Sequence, residues 1–212
     1  QPLSLVVSPT SSITQSAAPL NVGRLNVDAG AVTLANGSNV IGELSGKAAT
    51  SISVSNSSAM QIGTVDGVVG LTGNSGSTLT IDAAGVVTAN ENVSAPAGTV
   101  NITGAGVTLA SGKQVTAGTV NLNGAGLGAL QLGSGTVTAN NVGLSNATAA
   151  VLGNITAPGS LNINGLGGSG VTQAPGTAID VGTLTASTVA GPITLDATTN
   201  AITALAGLSS SV

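Results

Sequence analysis

The sequence predicts an all-β protein, a parallel β-helix or β-solenoid of about 20 residues per coil, and three observations carry that prediction. A short phrase recurs at a fixed spacing: Gly98-Thr99-Val100-Asn101-Ile102 returns as Gly118-Thr119-Val120-Asn121-Leu122, with Gly-Ala-Gly placed alike after each. Within the phrase, aliphatic residues alternate with small polar ones, the period-two pattern of a strand buried on one face. The composition disfavours the alternatives: the 212 residues include 32 Gly, no Phe, Tyr or Trp, and only 5% charged residues. Gly, Asn, Thr, Ser and Val all weaken helix interiors, so windows built from them favour strand.

Taken from the N-terminus, residues 1–21 read QPLSLVVSPTSSITQSAAPLN and match the repeat poorly. Pro2, Pro9 and Pro19 interrupt any long ladder, so this segment is expected to be an N-terminal cap or, alternatively, an assembly strand over Leu3, Leu5 and Val7 that pairs with a neighbouring molecule. Residues 22–212 are expected to form the solenoid repeats. Aligned on the strand-like core, Gly23-Arg24-Leu25-Asn26-Val27, Ser77-Thr78-Leu79-Thr80-Ile81, Gly98–Ile102, Gly118–Leu122 and Gly159-Ser160-Leu161-Asn162-Ile163 form one series. The last four starts differ by 21, 20 and 41, which sets the period near twenty and leaves one blurred copy between 139 and 158. A second strand follows each core after a Gly-containing turn, as in Val107-Thr108-Leu109 or Val32-Thr33-Leu34, and a third often follows, as in Gln114-Val115-Thr116. At the C-terminus AITALAGLSSSV has no charge, and Ile202, Leu205 and Leu208 are expected to stack on another subunit.

Stacked coils explain the repetition. Each residue lies above its equivalent, so a coil buries its aliphatic face and satisfies its edge only against a near copy of itself. Val100 and Ile102 are expected to point inward, and Thr99 and Asn101 outward. A narrow interior accepts ladders of Val, Ile, Leu and Ala more readily than a ring. Like charges stacked at ~4.8 Å would repel, whereas Asn, Thr and Ser can hydrogen-bond along the stack. One coil cannot offset the entropy of ordering its own backbone, so the array is expected to fold cooperatively.

Several function classes are disfavoured. No apolar run approaches the roughly 18 to 20 residues of a membrane span. With one Arg, two Lys and a net charge of −4, no basic patch exists to meet nucleic acid or anionic lipid. The chain has no His, Cys or Tyr, leaving Ser and Thr without an imidazole base, so a non-enzymatic protein without cofactor or metal is expected. Gln1-Pro2 is an ordinary start for a chain whose signal has been removed, so a mature secreted protein is expected.

Minor motifs receive structural readings. Asp28, Asp82 and Asp196 each leave a strand-like phrase at one repeat position and are read as turn caps rather than calcium ligands. Gly165-Leu166-Gly167-Gly168-Ser169-Gly170 precedes no Lys and is read as a corner, not a phosphate loop. Six Asn-x-Ser/Thr sequons are expected from composition alone. Thr78/Thr80, Thr136/Thr138 and Thr183/Thr185 form Thr-x-Thr pairs 58 and 47 residues apart, too sparse for one per coil, and are read as ordinary outward β positions.

The Gly-Thr-Val-Asn-Ile and Leu-Asn-Val-Asp-Ala-Gly phrases, the coil length and the wealth of Asn, Gly, Thr, Val and Ala resemble the filamentous-haemagglutinin type of repeat in secreted bacterial adhesins. The resemblance covers roughly residues 22–205. It implies a right-handed β-helix at the bacterial surface, exported through outer-membrane machinery and folding outside the cell. The expected function is structural, a fibre subunit polymerising head to tail or an adhesin shaft. The alternative is a ligand-binding solenoid, for a host or matrix glycan or for ice.

Overall fold

The structure, a computed structural model, describes residues 1–188 and 191–210; residues 189–190 and 211–212 of the expected solenoid segment lie outside the described residues. The fold is an all-β parallel solenoid with about 21 residues per turn, and no helix occurs among the described residues. Each coil lays down strands on three faces, here called A, B and C.

Face C fixes the register. Ile13, Val32, Ile52, Leu79, Val100, Val120, Val142, Leu161, Leu184 and Leu205 form one column of ten rungs, each paired in parallel with the next. Face B carries the column Leu5, Val27, Gly46, Leu71, Val93, Val115, Val137, Ile155 and Ile179. Face A carries Leu3, Leu25, Leu44, Ile62, Ala89 and Leu109. These columns converge on one aliphatic core, with Leu25, Leu44, Ile52, Val100 and Leu161 all fully excluded from solvent. Val100 and Ile102 face inward, while Thr99 and Asn101 are half-buried on the outside, as the alternation requires.

The Gly that opens several of the face C phrases has a steric cause. A Cβ on Gly98 would lie 2.0 Å from the Ser77 carbonyl oxygen, on Gly159 2.6 Å from that of Asn140, and on Gly182 2.0 Å from that of Pro158. At these rungs the chain passes too close to the preceding coil for a side chain, whereas the rungs opened by Thr50 and Ser77 leave room for one. The blurred copy is the rung Asn141–Ser145, which keeps the column through Val142 and Leu144 but lacks that glycine, having Asn140 instead.

Two sequence expectations need correction. Gly23–Val27 does not belong to the Gly98–Ile102 series: Leu25 sits in the face A column, and the face C residue of that coil is Val32. All three faces alternate aliphatic with polar, so the pattern identifies strands without distinguishing their faces. Consequently Asp28, Asp82 and Asp196 share no position. Asp28 is on face B beside Lys47, Asp82 ends a face C strand beside Thr103, and Asp196 follows the face A strand Ile193–Thr194.

One coil departs from the plan. From Met60 to its stacked partner Val87 the chain takes 27 residues, because a small antiparallel hairpin, Thr64–Val65 with Val68–Val69, is inserted between faces A and B. Its tip, Asp66 and Gly67, has φ values of 50° and 77°, the left-handed pair of a type I′ turn. The hairpin folds over the earlier coils: Val65 is fully buried, and Asn26 and Ser45 become buried beneath it, the Ser45 hydroxyl donating to the Val65 carbonyl at 3.3 Å.

Candidate functional site

Among the described residues, several of the few charged groups brace neighbouring coils. Arg24 and Glu43, stacked in register on face A, form an ion pair at 2.8 Å, and the Arg24 guanidinium also donates to the Thr64 carbonyl of the hairpin. Lys113 reaches back one coil to Glu91 at 2.7 Å. Lys47 stacks beside Asp28, and the Ser4 hydroxyl donates to Asp66 at the hairpin tip. Alternating charge thus replaces the repulsion that like charges would suffer at rung spacing.

Buried amides do similar work at the corners. Asn39, with no solvent exposure, accepts from the Leu20 N–H at 2.8 Å and donates to the carbonyls of Leu34 and Ser55, while exchanging hydrogen bonds with the Gln15 amide. Asn56 accepts from the Ile41 N–H at 2.7 Å, and Asn200 pairs with Gln173 while accepting from the Ile179 N–H at 2.9 Å. The sequence reading missed these roles. Their signal was weak, since Asn is abundant in turns throughout the chain.

The six expected assembly residues lie at opposite ends of the rod. Leu3 and Leu5 are half-buried in strand Leu3–Val6, which stacks in register on residues 25–28, so residues 1–21 contribute an outermost coil through Leu3–Val6 and Ser12–Thr14. Val7 is 39% exposed and its N–H donates to the Asp28 carbonyl; Val6, which the sequence reading did not single out, is 60% exposed. At the other end Ile202, Leu205 and Leu208 stand in register on Val181, Leu184 and Ala186, and Leu205 and Leu208 remain more than half exposed. With Leu184, Ile193 and Leu195 they line an open apolar cavity of about 350 Å³ across the end of the coil. Among the described residues, Leu3–Val6 pairs along one edge with residues 25–28, and Ala201–Ser210 along one edge with Ile179–Thr188.

Face C is the widest lateral surface. From the rung at Ser51 onward its rungs are five or more residues long and present three outward positions each, whereas most rungs of faces A and B are about three residues long. From the rung at Ser51 to the rung at Thr183, seven rungs offer twenty-one outward positions in register, and nineteen are Ser, Thr or Asn, the others being Asp82 and Gly143. The ranks are laced along the stack: Asn121 donates to the Asn101 side-chain oxygen at 2.8 Å, and Ser160 to that of Asn141 at 3.0 Å. Thr78/Thr80 and Thr183/Thr185 both stand on this face, but Thr136/Thr138 belongs to face B.

No family model matches the chain, and no curated protein or solved structure matches it either.

Proposed function

We propose that the chain is a non-enzymatic structural protein of the bacterial cell surface or extracellular matrix, a solenoid fibre subunit or adhesin shaft that extends by stacking coil on coil. The observation that carries this reading is the last described rung. Ile202, Leu205 and Leu208 continue the core columns of the rod, yet stand exposed on a strand hydrogen-bonded along one edge. Such an edge is a template for another strand, and Leu205 in its apolar row ends the face C column that begins at Ile13 at the other end. A second copy entering head to tail continues both ladders with the parallel geometry already used nine times on face C. Secretion through outer-membrane export machinery accords with this role, since a cooperative rod of this kind folds from its own stacking.

Electron microscopy of the purified protein over a range of concentrations tests the proposal. Filaments that lengthen with concentration, and that shorten to single rods in Leu205→Lys, are expected. Dispersed short rods at every concentration would exclude the fibre form.

A further inference from the structure

We infer that face C binds ice, recognising an ordered water lattice through its ranked hydroxyl and amide groups. Ice stood among the alternative ligands of the sequence, but its Thr-x-Thr pairs were too sparse to carry it; the array becomes visible only once the coils are stacked. Thr78-x-Thr80, Thr99-x-Asn101 and Thr119-x-Asn121 then lie on consecutive rungs, with neither a register shift nor an inserted residue between them.

Three features of the face fit this ligand. First, the outward side chains form a two-dimensional lattice: rungs repeat at ~4.7–4.9 Å, and alternate residues along a strand repeat at roughly 6.4–6.8 Å. The rung spacing is close to the shorter oxygen–oxygen repeat on a prism plane of ice, so waters held by one rank are nearly in step with those held by the next. Seven rungs in register carry the array over about 29 Å at the usual strand spacing.

Second, the face is almost free of charge. Of the ten charged side chains in the protein, Asp82 alone stands among the outward positions of these rungs, at the margin of the face. The others lie on faces A and B, at their corners or on the hairpin, including Arg24, Glu43, Lys47 and Asp180. A charge imposes its own hydration shell, whereas Thr offers a hydroxyl beside a methyl group, anchoring one water and caging its neighbours.

Third, the ranks are held in place before any ligand arrives. Asn121 is hydrogen-bonded to Asn101 and Ser160 to Asn141, so part of the side-chain entropy of ordering the array is lost on folding rather than on binding.

The test is partition of the full chain into slowly grown ice, alongside measurement of thermal hysteresis. The protein is expected to enter the ice at least tenfold above a non-binding carrier protein. The double variant Thr99→Lys/Thr119→Lys should fall to the carrier's level while keeping its β fold by circular dichroism, even where repulsion between the stacked lysines lowers its melting temperature. Thr108→Lys, the same change on face A, should partition as the parent does. Exclusion of the parent protein from ice would overturn the inference without recourse to any variant, as would undiminished uptake by the double-lysine variant. Microcrystalline cellulose serves as a second probe: binding to it, lost in the double variant and without ice uptake, would reassign the face to a polysaccharide surface.

Discussion

Val100 lies directly beside Val120, one rung away and in register, although twenty residues of chain separate them, and neither is exposed to solvent. Leu79 and Val142 continue the column on either side. A side chain in such a column is covered above, below and from the facing strands, so its removal is felt by three coils together.

Ile102 occupies the next inward position on the same strand, between Ile81 and Leu122. Truncation in Ile102→Ala should lower stability by about 2–5 kcal/mol, read from the midpoint of chemical denaturation. Ile102→Asp places a carboxylate where no partner exists and should unfold the rod in a single transition. An unchanged melting temperature for the aspartate variant would mean that the side chain escapes to solvent.

The corner glycine makes a sharper claim, because Gly98 has an ordinary backbone conformation and only contact forbids a side chain. A Cβ there meets the Ser77 carbonyl oxygen at 2.0 Å, so Gly98→Ala should cost about 1–3 kcal/mol. The same exchange at Gly37, whose Cβ would meet nothing within 4 Å, should leave the melting temperature almost unchanged.

Asn39→Ala should also be costly for its size. It strands the part-buried Leu20 N–H and the buried Leu34 carbonyl, a loss of about 1–3 kcal/mol. Hydrogen exchange at the Leu20 amide should rise more than at Val100, since the opening is confined to the first coils.

The ion pairs should matter little. Arg24 has 49% of its side chain exposed, so Arg24→Ala should lower stability by at most about 1 kcal/mol, and added salt should shift the melting temperature only slightly. The visible effect should be local, as faster exchange at the Val65 amide of the hairpin that Arg24 tethers.

Fold class and period were legible because the residues that set them are repeated in the chain. Gly98–Ile102 and Gly118–Leu122 carry the inward aliphatics, the outward polar residues and the corner glycine in a single phrase. The assignment of strands to faces was not legible, as the misplaced Gly23–Val27 illustrates, because alternation is common to all three faces. The hairpin had a local signal, Asp66-Gly67 flanked by valines, but its length hid it within an otherwise regular period. Face C was legible only in fragments. Its regularity comes from residues such as Ser53, Thr80 and Asn101, which differ in identity and become a rank only through stacking.

The most direct test of the stacked-coil account uses the absence of cysteine. Spin labels at Ser51→Cys and Thr183→Cys, outward positions of one column six rungs apart, should give a single narrow distance near 29 Å, from the usual strand spacing of ~4.8 Å. A broad distribution, or a distance that does not shrink by one strand spacing when the second label moves from Thr183 to Ser160, would contradict it.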